Sequence, residues 1–186
     1  AGDEQLGITA VPGAGTHIPL WILGSSTFGA QLAAMLGLPY AFASHFAPDA
    51  LDEALDIYRR QFKPSAQLAE PYAAAAFNAF AADSREEAEL LASSQQQAFV
   101  ALRTGNPGKM QPPLAGYKDR LPPNARAILG HVLQCSAVGT ADDIAAGLKA
   151  FVARTGVDEV IIASSMYDHA ARKHSLALTM EAAKTL

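Results

Sequence analysis

The sequence predicts an α/β fold built on a parallel sheet, and two observations carry that reading. Apolar runs of strand length alternate with longer segments whose apolar residues recur on a helical period, in the order strand, helix, strand, helix, strand, helices, strand, helix. The runs are bounded by Gly, Pro, Asp and Ser, the residues that punctuate βα units. About four such units are present. A closed eight-unit barrel takes about 250 residues, so 186 residues with a long insertion fit half of a (β/α)8 barrel or a small doubly wound sheet. Periodicity alone leaves both open.

Leu20–Leu23, after Pro19 and before Gly24, is too short for a helix and reads as a buried strand. Thr27–Leu36 then places Phe28, Leu32, Met35 and Leu36 on a helical period and stops at Gly37, with Pro39 two residues on. Tyr40–Ser44 is the second strand, followed by His45–Pro48 and a helix from about Asp49 to Gln61 with Leu51, Leu55 and Tyr58 on one face. Lys63–Pro71 is a connector and Tyr72–Ala82 the third strand. Asp83-Ser84-Arg85-Glu86 has capping-box spacing, with Asp83 as cap, and opens a helix to about Arg103. Thr104–Pro123 holds Asn106-Pro107-Gly108, Pro112-Pro113 and Pro122-Pro123, too many breakers for a tight turn, and reads as an inserted loop. A short helix near Asn124–Leu133 follows, then a helix from the Thr140 cap to Thr155, a strand over Asp158–Ala163 and a last helix from Asp168. The whole chain, 1–186, reads as one partial domain.

Composition excludes several function classes. With 50% apolar and 17% charged residues the chain can bury a core, so disorder is not expected. A net charge of -4 with both signs intermixed argues against nucleic acid as a partner. Cys135 is the single cysteine, which rules out an internal disulfide, gives no zinc-ligand spacing and points to a reducing cytoplasm. No metal site is expected. No run reaches the roughly 18 apolar residues that span a bilayer, and Ala1-Gly2-Asp3-Glu4 lacks the regions of a signal peptide. The chain opens on Ala1 and not on Met, as a processed, cut or partial chain would.

The most informative segment is Leu20–Thr27. A strand that ends in Gly24-Ser25-Ser26-Thr27 and opens a helix offers free N–H groups, a positive dipole end and hydroxyls at one point, which suits a phosphate. Gly24 would let an anion approach the backbone. The same serines could equally serve only as helix caps, and local sequence leaves both roles open. Ser44 and His45 stand at the end of the second strand, the functional edge of a parallel sheet. His45 could act as a general acid or base, donate to a ligand oxygen, or simply satisfy a neighbouring carbonyl. His169 and His174, five residues apart, do not share a helix face and read as solvated. Cys135 reads as a small buried thiol, and Trp21 as core.

These segments resemble a known family. Trp21-Ile22-Leu23-Gly24-Ser25-Ser26, Ala30–Ala34 and Gly37–Pro48 look like the fifth and sixth βα units of the bacterial luciferase-like monooxygenases. Phe62–Ser65, Glu70-Pro71-Tyr72, Ala81–Asp83, Val138–Thr140 and Asp158–Val160, with Asp168, Arg172 and Ser175, continue the match in the family's order over nearly the whole chain. The resemblance implies the C-terminal half of a (β/α)8 barrel that uses reduced FMN, or a related deazaflavin, with O₂ to oxygenate a small organic substrate. It places the flavin phosphate on Ser25, Ser26 and Thr27 beside Gly24, and sets Ser44 and His45 toward the ring or substrate. Nothing before Ala1 corresponds to the first four βα units, so the apolar inner face and both strand edges call for a cover. The expected cover is a missing N-terminal half or self-association into an oligomer. A catalytically silent flavin-binding or assembly half-barrel is the alternative function, and a doubly wound phosphate-binding domain the alternative fold.

Overall fold

The computed structural model describes residues 11–186, so the expectation for Ala1–Glu4 lies outside the described residues. Its elements run β1 (Ile22–Gly24), α1 (Thr27–Leu36), β2 (Tyr40–Phe42), α2 (Leu51–Gln61), β3 (Ala73–Ala81) and α3 (Arg85–Arg103). They continue as α4 (Tyr117–Arg120), α5 (Pro123–Val132), β4 (Ser136–Gly139), α6 (Ala141–Thr155), β5 (Glu159–Ala163) and α7 (His169–Ala183). All strand pairs are parallel, β1 with β2, β2 with β3, and β3 with both β4 and β5.

β3 holds the sheet together. Tyr40 N–H donates to the Tyr72 carbonyl, while Asn78 and Ala82 donate to the carbonyls of Cys135 and Gly139. These even-numbered positions share one edge, so β2 occupies its lower half and β4 its upper half. Asp158 N–H donates to the Ala73 carbonyl on the other edge, where β5 runs in register over Ala74–Asn78. The main path is thus an arc of four strands, β1-β2-β3-β5, and β4 is a short fifth strand that the sequence reading assigned only to the entry of a helix. A four-residue strand gives too few residues to show a period.

The two faces of the arc decide between the two fold expectations. Ala73, Ala75, Phe77, Ala79 and Ala81 of β3 join one core cluster with residues of α1, α2, α6 and α7. All four crossover helices therefore lie on one side. The other face carries Leu23, Ala41, Ala74, Ala76, Glu159 and Ile161, and at its C-terminal end Ala92 of α3 and Met166 pack on Phe80. A doubly wound sheet would have helices on both faces. One-sided cover is the arrangement of half a (β/α)8 barrel, with Leu23 71% and Ile161 46% exposed on the inner side.

Local signals explain most boundaries. Gly37 takes φ 64° at the end of α1, and an added Cβ there would collide with the Lys63 carbonyl and Ser65. Thr140 and Asp143 form a reciprocal capping box on α6. The α3 cap differs from expectation by one residue: Ser84 accepts from Glu87 N–H, while Asp83 bonds the His174 Nε2 at 2.9 Å. His174 therefore ties α7 to the end of β3. The insertion expected over Thr104–Pro123 contains α4 and leads into α5, whose Leu129 and Val132 pack on Phe99 of α3. Trp21 is not core; it is 43% exposed and stands edge-on against Tyr72.

Close helix–sheet contact is most demanding at Gly147 of α6, where a Cβ would sit 2.7 Å from the Ala137 Cβ and 3.6 Å from the Phe77 ring. Gly147→Val should cost about 1–3 kcal/mol of stability by overpacking, read as a lower urea midpoint at unchanged slope. Unchanged stability would show that α6 is free to withdraw from the sheet.

Candidate functional site

The chain brings the Gly24–Thr27 turn and the Ser44–His45 segment to the same C-terminal edge of the sheet, on neighbouring strands. Ser25 and Ser26 are exposed, and Thr27 is partly buried as the first residue of α1. Ser26 stands at the N-cap with extended backbone, yet its side chain makes no capping hydrogen bond, and the first turn of α1 holds no acidic residue. The first-turn amides are therefore left to water or a ligand. Tyr40 supports this turn from below: its hydroxyl donates to the Ser26 carbonyl at 3.1 Å. Gly24 stands at the foot of the turn, and a Cβ there would lie 3.5 Å from the Gly29 Cα and 3.6 Å from the Tyr40 hydroxyl, ordinary contact distances.

Ser44 is fully buried, and its hydroxyl donates to the Ala76 carbonyl at 2.5 Å, clamping the end of β2 to β3. His45 is half-buried, and burial lowers its pKa from the ordinary value, so the ring is neutral at neutral pH. Its carbonyl accepts from the Asn78 Nδ2 at 2.8 Å, while its buried Nδ1 has no partner. Asn78 was missed in the sequence, where its signal was present: one amide in a run of alanines and phenylalanines. Tyr40 was read only as a strand residue.

Beside this edge, Arg103 donates to the Phe46 carbonyl at 3.3 Å and lies 5.8 Å from the Phe46 ring centroid. The insertion leaves a cleft of about 420 Å³ there, lined by Asp49, Arg103, Ala127, Ile128, His131 and Val132. Cys135 is fully buried, and burial pushes its thiol pKa up, partly offset by Arg154; a thiol held protonated and sealed off is a poor nucleophile. Among the described residues no group of three or more His, Cys, Asp or Glu side chains could hold a metal ion, and no helix is long and apolar enough to cross a membrane.

Comparison with known proteins gives one consistent answer. The sequence profile of the luciferase-like monooxygenases matches residues 2–159. A luciferase-like monooxygenase of Escherichia coli (strain K12) is 45% identical over 186 residues, which is 100% of this chain and 56% of the relative. The crystal structure of apo-MsnO8 superposes with a TM-score of 0.75 at 25% identity, covering 99% of this chain and 56% of that one. The oxygenating constituent of 3,6-diketocamphane monooxygenase from Pseudomonas putida, solved in complex with FMN, superposes with a TM-score of 0.53 at 18% identity, covering 86% and 46%. This chain spans about half the length of the curated relatives it matches.

Burial raises the Tyr40 phenol to about 12, above the ordinary value of about 10. A raised folded-state pKa means that the unfolded chain loses its proton first, so stability present below about pH 10 is lost progressively as pH rises to about 12. Absorbance titration of the protein against Tyr40→Phe should assign one phenol to ionisation near pH 12. Ionisation of Tyr40 near pH 10 would mean that the phenol beneath the Ser26 turn is open to water.

Proposed function

The chain belongs to the luciferase-like monooxygenase family, and from that premise we propose that it is the C-terminal, flavin-phosphate-binding portion of an FMN-dependent monooxygenase acting on a small organic substrate with O₂. The observation that carries the reading is the uncapped N-terminus of α1 beside exposed Ser25 and Ser26. An anion at this point would meet free amides, the positive end of the helix dipole and two hydroxyls, without an acidic neighbour in the turn. These residues fit a phosphate. Thr27 adds a third hydroxyl, Gly24 and Tyr40 hold the turn against the sheet, and Ser44 fixes the neighbouring strand end.

When bound, reduced FMN supplies the activation of O₂ and the transfer of one oxygen atom. The residues of this chain bind, orient and exclude water. Ala41, Ala74 and Ala76 give the inner face of the arc a floor of small, buried side chains, against which we place the flat ring. Neutral His45, at the edge of that floor, is the candidate for holding or moving a proton. The cleft between the Phe46–Asp49 segment and α5 is the candidate substrate side. A deazaflavin would use the same phosphate turn, and a side-by-side titration separates the two cofactors.

The inner face also bears on partners. Leu23 and Ile161 on the sheet, Phe28 and Met35 on α1, and Leu176 and Met180 on α7 are exposed along both flanks of the arc. We place the other half of the barrel against them, supplied by the first four βα units or by a second copy, with a cytoplasmic setting for the assembly. The open inner wall also favours a second reading, a flavin-binding half-barrel without turnover of its own. Formation of oxygenated product from an organic acceptor with reduced FMN and O₂, above the level without protein, distinguishes the two.

Replacing both Ser25 and Ser26 by Ala should weaken FMN binding by roughly 2–4 kcal/mol, since each charge-assisted hydrogen bond contributes about 1.5–3 kcal/mol. Riboflavin, which lacks the phosphate, should bind both proteins equally. FMN affinity unchanged in the double variant would remove the phosphate site from the Gly24–Thr27 turn.

A further inference from the structure

We propose that Asn78 is the residue that recognises the ring edge of the bound flavin, its Oδ1 accepting the imide N–H; this rests on the flavin reading above. Beyond Glu159 at its N-terminal end, the inner face of the arc is apolar at Leu23, Ala41, Ala74, Ala76 and Ile161. Asn78 interrupts it. The residue is fully buried, and among the described residues its Oδ1 has no hydrogen-bond partner, an omission that is costly in a folded protein. Such a group in a native fold calls for a reason.

The direction of the amide is fixed by chemistry. Nδ2 lies 2.8 Å from the His45 carbonyl, which can only accept, so the nitrogen must face His45 and the oxygen must face away. Asn78 therefore presents an acceptor. Ser136, its register partner on β4, has a buried hydroxyl without a partner, and a hydroxyl can donate. An acceptor beside a donor matches an imide edge, where an N–H stands next to a carbonyl. The oxidised isoalloxazine has one ring N–H, at N3, and carbonyls on both sides of it.

Position agrees with the phosphate turn. Gly24, Phe42 and Ala75 lie at one level of the sheet, and Asn78 stands three residues further along β3, toward the edge where the Gly24–Thr27 turn lies. β3 is two strands from β1, about 10 Å at the usual spacing of about 4.8 Å. A ribityl phosphate arm bridges that span. Oδ1 is shielded in the free protein, so the ring reaches it only when the groups that cover it give way.

The test compares FMN, riboflavin and 3-methyl-FMN by fluorescence titration of the protein and of Asn78→Leu. The methyl group removes the N–H and leaves the phosphate, so 3-methyl-FMN should bind the unsubstituted protein about tenfold or more weakly than FMN, the equivalent of one hydrogen bond of about 1.4 kcal/mol. Asn78→Leu should weaken FMN and riboflavin alike and bring FMN and 3-methyl-FMN to the same affinity. A purely structural Asn78 would change the urea midpoint and leave the FMN to 3-methyl-FMN ratio intact. Equal binding of the two flavins by the unsubstituted protein overturns the assignment, and this comparison needs no variant that must fold. Failure of the unsubstituted protein to bind either FMN or riboflavin overturns the flavin reading itself, and this assignment with it.

Discussion

The burial of β3 on every side is the constraint from which the rest of the structure follows. Two strands share one of its edges, a third takes the other, and the helices press on one face along its length. A central strand with that many neighbours has little room for side chains, and eight of its nine residues, all but Asn78, are Ala or Phe, small or flat and apolar. Ala has a modest strand propensity, so packing, not propensity, makes this segment a strand. Larger residues would push β2 and β5 away from it. Gly147 extends the same constraint to α6, where helix and sheet come close enough to exclude a Cβ.

The two ends of β3 have opposite characters. At its N-terminal end polar groups are well matched: Asp158 Oδ2 accepts from Ala73 N–H at 2.8 Å, and the Tyr58 hydroxyl lies 2.9 Å from the Leu38 carbonyl and 3.1 Å from Tyr72 N–H. Nearby, Arg59 donates to the carbonyls of Thr155 and Gly156 and closes the end of α6. At its C-terminal end His45 Nδ1, Asn78 Oδ1 and Ser136 Oγ are buried without partners. These unpartnered atoms stand beside matched ones there, since the Ser175 hydroxyl accepts from Ala81 N–H at 2.9 Å. In barrels of this kind the C-terminal ends of the strands are where ligands are handled, and the unmatched His45 and Asn78 atoms lie toward that side of β2 and β3.

The order of strands and helices was legible in the sequence because long helices with stops such as Gly37 and Gly156 leave periodic marks. The turn at Gly24–Thr27 and the segment at Ser44–His45 were legible as the ends of strands. What could not be read was which hydroxyls are free. Ser44 and Ser26 look alike in sequence, yet one is sealed against the Ala76 carbonyl and the other faces solvent, a difference set by the register of β2 on β3. The Asp83 cap failed for a related reason: His174, 91 residues away, claims that carboxylate, and Ser84 takes the cap. β4 was invisible because its pairing is earned by position along β3 and not by its own four residues.

Helix termini show how the fold reserves one place for an anion. Of the five helices that pack on the sheet, α2 opens with Asp52 and Glu53, α3 with Glu86 and Glu87, α6 with a complete capping box, and α7 with Asp168 accepting from Ala171 N–H. Each of those ends meets its positive charge with a carboxylate from its own chain. α1 has neither an acid in its first turn nor a side-chain cap. A Ser at that position would ordinarily bond back to the helix, and Ser26 does not, while its carbonyl is engaged by Tyr40. The turn is thus held in place from its carbonyl side, which leaves its donors free. Holding the turn rigid in this way lowers the ordering cost of binding an anion there, and the buried Tyr40 is what provides that rigidity.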